Sequence, residues 1–152
     1  MRQPSWFSRQ YPSIRDMEAF AWDLRALVQR GPCGSAGLVL VEEPGFNVIC
    51  LPDGLSPLEE AWYLAHELGH LVQHSGYTSE WAHDKQEAQA SRWAALALIP
   101  EAAVRRHKNA SLDAFIAALS AHYEHLPLED CPQRRLAAHI ARIRLKAVEE
   151  VA

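Results

Sequence analysis

At 152 residues the chain has the length of one domain, enough to bury a core. Hydrophobic and charged contents of 49% and 22% exclude a disordered chain, and a formal net charge of −4 argues against a dominant nucleic-acid surface. No stretch suits a signal peptide or a membrane span, and Cys33, Cys50 and Cys131 lie too far apart for a disulfide framework or a CxxC knuckle, so a cytoplasmic protein is expected.

In chain order, the first expected helix runs from Ser13 to about Gln29. Ser13 and Asp16 have capping-box spacing, and Ile14, Met17, Phe20, Ala21, Leu24, Leu27 and Val28 form one apolar stripe. Gly31-Pro32-Cys33-Gly34 ends it. Two apolar runs, Gly37–Val41 and Phe46–Leu51, flank Glu42-Glu43-Pro44-Gly45 and read as a β-hairpin or a pair of short strands. Ser56-Pro57-Leu58-Glu59 then opens a helix with a Ser cap, Pro at the first helical position and Glu three after the cap. Ala61, Trp62, Ala65, Leu68 and Val72 face its core side, and Gly76 is its expected end. A loop with Tyr77 and Trp81 leads to a cap at Asp84 and a helix that stops at Pro100. Three further helices are expected, near Ala102–Lys108, over Ser111–His122 and over Pro132–Val151. The whole reads as one mostly helical α+β domain, with a small sheet beside the central helix. A metal-site core spans about 36–100, and a helical C-terminal part spans 101–152.

His66-Glu67-Leu68-Gly69-His70 lies inside that central helix. Residues four apart share a helix face, so both imidazoles can hold one metal ion while Glu67, the expected general base, faces a water beside it. A catalytic zinc ordinarily takes a third protein ligand. The HExxHxxGxxH continuation is excluded because Gly76 occupies its last position. Glu87 on the next helix is the main candidate, since Ala88, Ala90 and Ala94 keep that helix slim enough to approach. Asp84 and His83 are alternatives, and Glu87 could instead close a capping box with Asp84.

Ala65-His66-Glu67-Leu68-Gly69-His70-Leu71-Val72-Gln73-His74 and Glu87-Ala88-Gln89-Ala90-Ser91-Arg92-Trp93-Ala94-Ala95-Leu96-Ala97-Leu98-Ile99-Pro100 resemble the paired motifs of the ImmA/IrrE-type zinc metallopeptidases. The strand Asn47–Leu51 before the active helix also fits, so the resemblance covers roughly residues 46–100. It places Glu87 on the family's first glutamate as the third ligand of one Zn2+. Gln89 stands where the family has a second acidic residue, and Ser91 stands where asparagine is usual, which would loosen a hydrogen bond to a ligating histidine. The implied function is a zinc endopeptidase that cleaves a protein partner, a transcriptional repressor, in stress or mobile-element regulation. The alternative is a metal-stabilised interaction module that acts by binding.

Tyr77, His83 and Tyr63 are nearby candidates for contacting substrate or a developing oxyanion. The strand Asn47–Leu51 is expected to offer its edge to an extended substrate. His74 reads as a helix-end residue, and His107, His122, His125 and His139 receive no role. Arg134, Arg135, Arg142, Arg144 and Lys146 make the last helix basic, a pattern read as a solvated face with Leu136, Ile140, Ile143 and Ala147 turned inward. Direct nucleic-acid binding and membrane association are not expected.

Overall fold

A computed structural model describes residues 3–40, 45–73, 83–106 and 110–151. Within them the order is α1 (Ile14–Asp23), β1 (Ala26–Gly31), β2 (Gly37–Leu40), β3 (Asn47–Pro52), α2 (Pro57–Gln73), α3 (His83–Leu98), α4 (Glu101–Arg106), α5 (Leu112–His122) and α6 (Pro132–Val151). The fold is α+β and mostly helical, as expected.

The first correction is at α1. Its capping box is present, with Ser13 N–H donating to Asp16 Oδ2 at 2.9 Å and Asp16 N–H to Ser13 Oγ at 3.0 Å. The helix nevertheless ends at Asp23, because Leu24 caps it and Arg25 adopts a left-handed φ of 59°. Leu27 and Val28, the tail of the apolar stripe, therefore lie in β1 and not in the helix.

The sheet order is β1-β3-β2, with β1 parallel and β2 antiparallel to β3. The β2–β3 pairing matches the expected hairpin, whereas the parallel β1 has no local sequence signal. β3 is central and hydrogen-bonded on both sides, so it cannot lend an edge to a substrate. The outer strands of the described sheet are β1 and β2. Ile49 and Leu51 on β3 are fully buried.

At the start of α2, Ser56 N–H donates to Glu59 Oε1 at 3.1 Å and Glu59 N–H to Ser56 Oγ at 3.4 Å. A further free donor, Leu58 N–H, reaches Glu124 Oε1 at 3.1 Å. This fixes the helix entry, with Ser56 ten residues before His66, the first histidine of the motif. α3 begins at His83, so Asp84 lies inside its first turn and is not its cap. Trp93 of α3 is buried against Trp6, Phe7 and Phe20, which ties the N-terminal segment to that helix.

On α6 the inward face differs from expectation at one place. Arg144 is only 1% exposed, and its Nε donates to the Ile99 carbonyl at 2.7 Å and Nη2 to Glu101 Oε2 at 3.2 Å. It is buried because it satisfies a carbonyl at the C-terminal end of α3 that no residue of that helix can reach. Ile140 and Ala147 are buried, and Leu136 and Ile143 pack partly buried on the core. No helix among the described residues is long and apolar enough to cross a membrane. Gly76, His74, Tyr77, Trp81 and His107 lie outside the described residues.

Candidate metal centre

α2 and α3 approach until their backbones touch. A Cβ on Gly69 would lie 2.7 Å from the Ala90 carbonyl oxygen and 3.0 Å from its Cα, closer than carbon atoms tolerate. Glycine in the HExxH motif and alanine opposite it thus set the helix separation that lets three side chains converge. Ala94 is buried in line with Ala90, whereas Ala88 is exposed and plays no part in the contact.

Across that seam Glu87 bridges the two histidines. Its Oε2 lies 2.9 Å from His66 Nε2, and its Oε1 lies 2.8 Å from His70 Nε2. The imidazoles stand edge to face with centroids 4.9 Å apart. Glu87 is thus committed to the histidines and does not close a capping box. The ligand atoms of His66, His70 and Glu87 lie within 4.8 Å of one another, the one such group among the described residues. Two imidazole nitrogens and one carboxylate match the donor set of a catalytic zinc site that keeps a position open.

The electrostatics differ between the two glutamates. Desolvation pushes Glu87 upward, but the adjacent His66 and His70 outweigh it and hold the carboxyl below its ordinary range. Glu67 sits one residue round the helix and is 7% exposed. Burial, and then the neighbouring Glu87 charge, raise it from 4.5 to about 7. A carboxyl poised near neutrality is suited to taking up and returning a proton.

His66 is held from behind as well. Ser91 Oγ lies 3.2 Å from its Nδ1, and the Trp62 ring lies 6.1 Å from the imidazole. When Nε2 is a ligand, Nδ1 carries the proton and the serine oxygen can accept it. Ser91 therefore keeps the hydrogen bond that its departure from asparagine put in question. Gln89, two residues from Glu87 on α3, is half-buried. His83 is exposed at the first position of α3, one turn before Glu87, and Tyr63 is half-buried on α2. His83 does not join the His66, His70 and Glu87 group.

The model of the IrrE N-terminal-like domain, peptidase family M78, matches residues 23–125. The chain belongs to the M78 peptidase family. This match covers β1 through α5, including every residue of the candidate centre, and leaves α6 outside. No curated protein and no solved structure matches the chain significantly. Sequence reasoning found the ligand candidates. It missed Gly69 as the spacer and Arg144 as the anchor of α3, and only the glycine inside the motif offered a hint.

Proposed function

We propose that this M78 chain is a zinc-dependent endopeptidase of the cytoplasm that cuts a specific protein partner, a transcriptional repressor in the manner of the ImmA/IrrE-type resemblance. The observation that carries the reading is Glu67, a buried carboxyl raised to about 7 beside the His66, His70 and Glu87 group. In this reading His66, His70 and Glu87 hold one Zn2+, which supplies Lewis acidity toward a carbonyl and makes water a nucleophile near neutral pH. Glu67 takes the proton from the attacking water and delivers it to the leaving amine. Ser91 keeps His66 in the orientation and tautomer that point Nε2 at the shared centre. His83, exposed at the first position of α3, stays a candidate for contacting substrate beside Tyr63.

An interaction module acting only by binding has no use for a buried carboxyl of this kind, whose burial costs stability. The test is a proteome-wide comparison of new protein N-termini in host cells carrying wild type or Glu67→Gln. A small set of cleavages confined to wild type is expected. Equal N-termini in both, with the metal retained by both, would sink the peptidase reading.

A further inference from the structure

The outer face of α6 carries Arg135, His139, Arg142 and Lys146, all exposed and spaced four, three and four residues apart. That spacing aligns them on one side of the helix. Arg135 pairs with Asp130 at 2.8 Å, while Arg142 and Lys146 have no ion pair among the described residues. These two cations are four apart, a like-charge spacing that works against a helix.

The helix ends run the same way. A helix N-terminus favours acidic side chains and its C-terminus basic ones. α6 has no acidic residue in its first turn and no basic one in its last; instead Arg134 and Arg135 stand at the start and Glu149 and Glu150 at the end. Arg135 and Glu150 find partners inside the chain, in Asp130 and Arg92, which leaves Arg142 and Lys146 as the cations of the stripe open to a counter-ion from outside. The stripe is also close to the metal centre. His139 meets the Trp62 ring edge-on at 5.9 Å, and Trp62 in turn lies 6.1 Å from His66.

We propose that the stripe Arg135–His139–Arg142–Lys146 docks an acidic segment of the protein substrate, a few residues from the bond to be cut. This rests on the peptidase reading above and adds what the substrate must carry. Eleven residues of helix rise by ~16 Å, which about five residues of extended peptide cover. Complementary charge at that distance raises the encounter rate and selects the partner. A short acidic run fits better than nucleic acid, because a continuous polyanion would be drawn across a chain of net charge −4 and past Glu149 and Glu150.

The test uses the full zinc-loaded chain with Glu67→Gln, so that bound peptide is not cut. Fluorescence anisotropy is followed with a labelled octaglutamate peptide, and separately with a short DNA duplex, at about 0.1 M salt. Arg142→Glu/Lys146→Glu is compared with Arg9→Glu/Arg15→Glu, which changes the net charge equally at exposed positions away from α6. Arg142→Gln/Lys146→Gln serves as a second pair if reversal disturbs the fold. The expected result is a loss of about tenfold in peptide affinity for the α6 pair and less than about twofold for the control pair. Equal losses in both pairs, no loss in either, or tighter binding of DNA than of peptide would overturn the proposal. Because no turnover is read, failure here leaves the comparison of N-termini to judge the peptidase reading on its own.

Discussion

Helices α2 and α3 meet backbone to backbone, whereas α6 is tied to α3 by arginine side chains as well. At the first contact, Gly69 and Ala90 leave no room for a methyl group, and the candidate ligands His66, His70 and Glu87 converge across that distance. At the second, Arg144 reaches across to the Ile99 carbonyl, and the half-buried Arg92 pairs with Glu150 at 3.1 Å. The contrast shows two ways of fixing a helix. Small residues set a separation to tenths of an ångström, which metal ligands need. An arginine tether fixes the far end of α3 and leaves the outer face of α6 free for charge.

The largest effect is expected from pH and Glu67. Burial raises this carboxyl from 4.5 to about 7, so folding favours its protonated form. In the chelator-treated protein that stabilisation is complete below pH ~4.5 and is lost as the pH climbs through about 7, a fall of up to ~3 kcal/mol at ~1.4 kcal/mol per unit. Glu67→Gln should flatten the urea midpoint against pH over this window; an unchanged slope would show that Glu67 is not the source. Glu87 has the opposite sign, since its depressed carboxyl contributes above the ordinary carboxylate range and loses that contribution as the pH falls.

Next comes Gly69→Ala, which forces two backbones apart and should cost ~2–3 kcal/mol in urea unfolding together with weaker zinc binding. Unaltered zinc affinity would mean that the seam does not set the ligand positions. Arg144→Met leaves the Ile99 carbonyl without its donor and should cost ~2 kcal/mol, against ~0.5 kcal/mol or less for Arg92→Ala at a pair exposed by 41% and 48%. Equal costs for the two would erase the distinction between a tether and a surface pair. Ser91→Ala should act on the metal alone, lowering zinc affinity by about tenfold with the thermal midpoint of the metal-free chain unchanged.

What the sequence made legible follows from range. The capping boxes at Ser13 and Ser56, the α6 bounds and the i, i+4 histidines are written within single turns, and each could be read from neighbouring residues. Glu87 was within reach because helix periodicity and the motif pairing agree on one residue. β1 was not, because an apolar stripe running through Leu24 into Leu27 and Val28 suits a helix as well as a strand, and the partner that decides is Asn47–Pro52. For the same reason β3 was recognisable as a strand, while its place in the middle of the sheet was not. Arg144 sits among other basic residues on α6, and the carbonyl that buries it belongs to Ile99, 45 positions earlier.

The most direct measurement is a zinc titration of wild type and Glu87→Ala, with metal-free samples matched by circular dichroism. The account predicts about one ion per wild-type chain and an affinity at least about a hundredfold lower in the variant, since one of three ligands is lost. Equal stoichiometry and affinity in the two proteins would contradict it.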